Sequence, residues 1–74
     1  MKSLVGFWID KRGLKNKFIA KELEVTQVQV SKWRTGKAYP RLDKAFKLAT
    51  LLDVKVDDLY EQKGVIGNSE EGEL

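Results

Sequence analysis

Residues 19–40 read IAKELEVTQVQVSKWRTGKAYP, and two short helices with a tight joint are written into them. Ile19, Ala20 and Leu23 line one face of a helix predicted over residues 16–23, which stops at the turn Glu24-Val25. Thr26 followed by Gln29 fits a capping box, in which a hydroxyl and an amide satisfy two backbone donors at a helix start. A further helix over residues 27–34 begins there and stops at Gly36. Val30 and Trp33, with Val25 in the turn, form its inward face. Val28 sits about 200° around the helix from Val30, on the side away from any core.

Outward from this stretch the chain continues to read as helix. Leu4, Phe7 and Trp8 are spaced for a first helix over residues 3–12, ended by Gly13. Tyr39-Pro40 keeps the connection extended before a helix over 42–52. Leu42, Ala45, Phe46, Leu48, Ala49, Leu51 and Leu52 give that fourth helix a broad apolar face, the most buried of the set. Val56, Leu59 and Tyr60 predict a fifth helix over 56–62, with Asp57 and Asp58 in its first turn and Gly64 as its stop. No strand is expected. The Gly-rich, acidic segment 67–74 is expected to be a disordered tail, leaving residues 1–66 as one domain.

Composition narrows the chemistry. In 74 residues there is no Cys and no His, which removes thiol nucleophiles, disulfides, the usual zinc ligands and imidazole bases. Asp57 and Asp58 are explained by helix polarity, so no enzyme is expected, and no metal or cofactor either. The apolar run Leu4 to Ile9 is too short for a signal core or a membrane span, so a cytoplasmic, soluble protein without a membrane partner is expected. A core built from so few residues buries only about 60% of the unfolded surface.

The net charge of +3 conceals a division. Residues 11–47 carry eleven cations against three acids, and residues 48–74 carry two cations against seven. A basic middle segment suits a polyanion such as nucleic acid, although a solvated lysine-rich surface accounts for it as well.

Two short helices, the second opened by a Thr cap, match the helix-turn-helix pattern. Gln27, Val28 and Lys32 share the outward face near the start of the second. Gln can pair with adenine, Lys can donate to guanine and Val can pack on a thymine methyl, so these three are the candidate base readers. A solvated face with one tolerated Val is the plainer alternative. Lys15 and Lys17 flank Asn16 at a helix N-terminus, where cations cost roughly 0.3–1 kcal/mol unless an anion visits. Gln29, Ser31, Arg34, Lys37, Tyr39 and Arg41 complete the candidate phosphate and backbone contacts, with Gln29 alternatively held by the cap.

The run from Ile19 to Pro40, with Leu42, Leu51-Leu52 and the segment Val54 to Leu59, resembles the helix-turn-helix of the phage repressor and Cro family over roughly residues 4–62. The resemblance implies an all-α, five-helix, lambda-repressor-like domain. It implies a regulator of transcription that acts as a dimer on a palindromic double-stranded DNA operator, in the manner of phage or mobile-element repressors. Base reading by Gln27, Val28 and Lys32, phosphate contact by Asn16, and core roles for Ala20, Val30 and Leu52 follow from it. The family usually has Gly where Glu24 and Asp53 stand, and Glu where Arg34 stands. Glu24 and Asp53 are thus placed where a left-handed backbone is needed.

Leu59, Tyr60, Val65 and Ile66 offer apolar surface for a homodimer mate, or else cap the core. Phe18 falls at the surface, where it packs on Trp8 or joins a contact surface. An exposed Phe18 and Val28 would also suit a protein partner, the second function class for this chain.

Overall fold

The computed structural model describes residues 2–61. In chain order these form strand β1 (Lys2–Ser3), helices α1 (Val5–Lys11), α2 (Asn16–Leu23), α3 (Gln27–Thr35) and α4 (Leu42–Leu52), a single 3-10 turn at Val56–Leu59 and strand β2 (Tyr60–Glu61). α3 packs on α1 and α2, while α4 closes against α2 and the 3-10 turn. Val5, Ile9, Ile19, Leu23, Val30, Trp33, Leu48, Leu52 and Leu59 meet in one core. Ala20, Val30 and Leu52 are 5%, 0% and 0% exposed, as their positions in the pattern require.

Three helices end in the same way. After α2, α3 and α4 the chain turns left-handed at Glu24, Gly36 and Asp53, with φ of 58°, 78° and 58°. At each end the next residue's N–H reaches back five residues: Val25 to the Ala20 carbonyl, Lys37 to Lys32 and Val54 to Ala49. These bonds fill carbonyls that the helix end leaves open. Glu24 and Asp53 accept a backbone conformation that glycine would adopt without cost.

Two expectations are corrected here. The fifth helix over 56–62 is absent: only Val56–Leu59 winds, as a 3-10 turn, and Tyr60–Glu61 is extended. Tyr60 and Glu61 pair antiparallel with Ser3 and Lys2, so the chain contains a small two-stranded sheet where none was expected. Leu4 N–H bonds the Leu59 carbonyl at 2.7 Å, and this contact draws the two ends together. Strands of two residues are too short to leave an alternating pattern in a sequence. Gly64, Val65, Ile66 and the 67–74 tail lie outside the described residues.

The second correction concerns α4. Its Ala45, Leu48, Ala49 and Leu52 are buried, but Leu42 and Phe46 are 72% and 58% exposed. A helix can bury only the arc that faces its neighbours, and the apolar stripe of α4 is wider than that arc. Phe46 instead borders a shallow groove with Leu23 and Leu51. Among the described residues no helix is long and apolar enough to cross a membrane, and no acidic cluster could hold a metal ion.

Long-range polar contacts tie the elements together. The Arg12 guanidinium donates to the Leu52 and Asp53 carbonyls at 2.7 and 3.4 Å, at the end of α4, and lies over the Trp8 ring. Lys44 donates to the Leu23 carbonyl at 2.7 Å, at the end of α2. Cations at helix C-termini meet both the open carbonyls and the negative end of the dipole. Trp8 Nε1–H donates to the Asp58 carbonyl at 2.8 Å, and the Asp58 carboxylate accepts the Lys55 backbone N–H at 3.1 Å. Burial, with a smaller contribution from the neighbouring Tyr39 phenol, raises the Tyr60 pKa above its ordinary value.

Candidate nucleic-acid interface

Because α3 is packed on one side only, its other side is bare. Val30 and Trp33 face the core at 0% and 2% exposure, whereas Val28 is 64% exposed. Gln27, Ser31 and Lys32 are exposed with it. Leaving a Val in water forgoes the stabilisation that burial would supply, so no packing reason accounts for Val28. The start of α3 is set by Thr26, whose hydroxyl accepts the Gln29 backbone N–H at 3.1 Å. Only this half of the expected capping box forms: the Gln29 side chain does not return a bond to Thr26 but lines a cleft with Trp33 and Tyr39.

Asn16, Ser31 and Arg34, all expected to meet phosphate, are bonded to one another. Arg34 donates from one nitrogen to both Asp10 carboxylate oxygens at 2.9 and 3.0 Å, and from another to Asn16 Oδ1 at 3.3 Å. Asn16 Nδ2 donates in turn to Ser31 Oγ at 3.3 Å. The chain of contacts joins α1, α2 and α3. Arg34, a candidate phosphate contact, has its charge met by Asp10 in a pair that stays partly in solvent. Asn16 keeps one amide hydrogen and Ser31 its hydroxyl hydrogen for another acceptor. The network was not legible beforehand, because Asp10 and Arg34 are twenty-four residues apart and neither falls on a helical spacing with the other.

Around this network stand cations with no such partner. Lys15 occupies the cap position of α2 without a side-chain bond, and the first turn of α2 holds no acid. The first-turn N–H groups therefore present partial positive charge beside Lys15 and Lys17. Lys32, Lys37 and Arg41 are exposed on α3 and the loop that follows. Arg41 Nε is 3.9 Å from Asp43, a loose pair with both side chains mostly in solvent. Tyr39 packs edge-on against Tyr60 with ring centroids 5.6 Å apart. Arg12 and Lys44, which the charge count placed in the same basic segment, are consumed as helix-end caps.

Two further positions changed standing. Leu59 is 0% exposed and belongs to the protein's own core, so it has no surface to offer a second copy. Phe18 is 42% exposed, and Trp8 pairs with Phe7 at 5.1 Å instead. With Leu14, Phe18 forms an apolar depression edged by Lys15, Lys17 and Lys21.

The Asp10–Arg34 pair sets a testable balance. Both groups are partly in solvent, with side chains 69% and 26% exposed, so Asp10→Asn should lower stability by no more than about 1 kcal/mol in urea unfolding. The same change frees Arg34 and should strengthen binding to any duplex while steepening its salt dependence. Unchanged salt dependence would show that Arg34 stays out of reach even when unpaired.

The helix-turn-helix family profile matches residues 8–59. Among solved structures, a transcriptional regulator from Listeria innocua is similar, with a TM-score of 0.68 and 27% identity. The match covers 88% of this chain and 66% of that one. No curated protein sequence matches the chain.

Proposed function

Given that the chain belongs to the helix-turn-helix family, we propose that it is a sequence-specific regulator of transcription that reads double-stranded DNA by laying α3 in the major groove. The observation that carries this reading is the bare face of α3, where Val28 is 64% exposed between Gln27 and Lys32. Gln27 pairs with an adenine edge, Lys32 with a guanine edge, and Val28 packs on a thymine methyl. Lys15, Lys17, Lys37 and Arg41 grip the sugar-phosphate backbone on either side of the groove, and the Asn16 amide adds a contact at the start of α2. The Asp10–Arg34–Asn16–Ser31 chain holds α2 and α3 in fixed relation, which is what placing both a backbone contact and a base contact requires.

Repression of a phage or mobile-element kind, by a homodimer on a palindromic operator, extends the reading. A two-fold dimer would set the two α3 helices about 34 Å apart, one turn of DNA. With Leu59 inside the core, Tyr60 is the candidate among the described residues for that contact. Sedimentation at saturating DNA tests it, and a single chain per half-site with no pairing on the full site would exclude the dimer.

The direct experiment is an electrophoretic shift against a random duplex library with sequencing of the bound fraction. An enriched site is the expected result, and a bound fraction no different from the input would sink the reading. On the enriched site, Gln27→Ala and Lys32→Ala should each cost about 1–3 kcal/mol and relax choice at one base position. Loss of affinity without loss of choice would move that residue from the bases to the backbone.

A further inference from the structure

Neither the exposed Phe18 nor the acidic segment 67–74 has a part in reading DNA. Phe18 is 42% exposed, and with Leu14 it floors an open depression of about 390 Å³. Lys15, Lys17 and Lys21 edge that depression, and no carboxylate lines it. Among the described residues none of these three lysines forms an ion pair; the pairs present are Arg34–Asp10 and Arg41–Asp43. A phosphodiester suits the ammonium groups but offers the aromatic floor nothing to bury. A second copy of the depression would set three lysines against three lysines, and like charges across an interface are costly. The surface fits a segment in which carboxylates stand beside an apolar side chain.

The chain itself carries such a segment. Glu70-Glu71-Gly72-Glu73-Leu74, beyond the described residues, places three carboxylates beside one leucine. It is also within reach. Glu61 pairs with Lys2, just before α1, and the Leu14 N–H bonds the Ile9 carbonyl of that helix at 3.0 Å. Crossing from Glu61 to Lys2 and following α1 to Leu14 covers at most about 30 Å. Thirteen residues follow Glu61, and they span up to about 43 Å. A tether of this length gives its end a local concentration of about millimolar, so that weak contacts are populated.

We propose that residues 70–74 dock on the Leu14–Phe18 depression, with Leu74 against the Phe18 ring and Glu70, Glu71 and Glu73 against Lys15, Lys17 and Lys21. Lys15 and Lys17 are also assigned to the DNA backbone, so the docked segment and a duplex exclude one another there. A weakly held duplex loses to the segment, whereas a matched site displaces it. The docking does not depend on the DNA-binding reading, and the competition rests on it.

NMR of the full chain tests the docking against a Glu70→Gln/Glu71→Gln/Glu73→Gln variant. The expected result is that the amides of Leu14 and Lys21 and the ring of Phe18 shift between the two proteins, while the Val28 amide on α3 stays in place. Identical resonances at Leu14, Phe18 and Lys21 would overturn the proposal. So would resonances there that move with protein concentration, since they assign the depression to a second copy. Lys21→Gln then separates competition from bulk charge, because Lys21 is not among the cations assigned to DNA and losing a cation by itself weakens duplex binding. Loosening the segment should instead tighten binding about threefold at about 50 mM salt, and the triple-Gln background should remove that gain. Weaker binding in both backgrounds overturns the competition. If the shifts appear and no duplex binds, the DNA reading fails and the docking stands; if a duplex binds without the shifts, the docking fails and the DNA reading stands.

Discussion

Raising the salt concentration from about 50 to about 200 mM is expected to weaken DNA binding by about 10²–10³ per bound chain. Each phosphate neutralised contributes a slope of about −0.9 in log K against log salt. Five exposed cations without a firm internal partner stand near the bare face of α3: Lys15, Lys17, Lys32, Lys37 and Arg41. They set a limiting slope of about −4.5. The net charge of residues 11–47 would predict a steeper one, of about −7, if every excess cation reached DNA. Of the eleven cations in residues 11–47, Arg12 and Lys44 cap helix ends, Arg34 is held by Asp10, and Lys11, Lys21 and Lys47 are not among the five counted near the bare face. A salt titration of binding, with stoichiometry measured alongside, separates the two values. A slope near −7 per chain would mean that the internal pairing yields to DNA, and a slope near zero would remove the electrostatic argument altogether.

Trp33→Ala is expected to abolish cooperative folding near room temperature. Removing a buried aromatic side chain costs about 3–5 kcal/mol through lost burial and the cavity left behind. A domain of this size has only about 3–9 kcal/mol of stability in total. Trp33 is 2% exposed at the junction where α3 meets the rest of the core. Phe46→Ala provides the contrast, since an aromatic ring 58% exposed should change stability by no more than about 0.5 kcal/mol. Thermal unfolding followed by circular dichroism measures both. A Trp33→Ala protein that melts within a few degrees of the parent, or a Phe46→Ala protein that loses its transition, would mean that the burial described for α3 and α4 is misplaced.

The contrast between Trp33 and Phe46 also shows where sequence reading succeeds. Trp33 was assigned inward from its spacing with Val30 inside a helix whose start was marked by Thr26 and whose stop was marked by Gly36. Each of those signals acts within one helical turn, and each is present in the fold. The left-handed positions of Glu24 and Asp53 rest instead on the resemblance, which has Gly at both, and both have φ of 58°. Phe46 was assigned to a core because it lies in an apolar run. Whether a residue in such a run is covered depends on how far the neighbouring helices extend, and periodicity carries no information about that.

The fifth helix failed for a related reason. Val56, Leu59 and Tyr60 have helical spacing, but Leu59 is claimed by the core and its carbonyl by Leu4 N–H. A single turn contributes too few hydrogen bonds to resist that pull, because helix formation has a costly nucleus. Arg34 was read as a free cation because its partner Asp10 is far away in the chain. The cations at residues 12 and 44 were counted with it, and their acceptors are likewise distant carbonyls at helix ends.

The sequence by itself therefore determined the elements whose signals are local: the four helices, their caps and left-handed stops, the inward side of α3 and its bare outer face. Tertiary structure alone decided the two-stranded closure, the exposure of Phe46 and the pairing of Arg34. The physical reason is range. Backbone capping and helical periodicity are set by residues within about four positions of one another, whereas burial and ion pairing depend on which distant segments arrive at the same place.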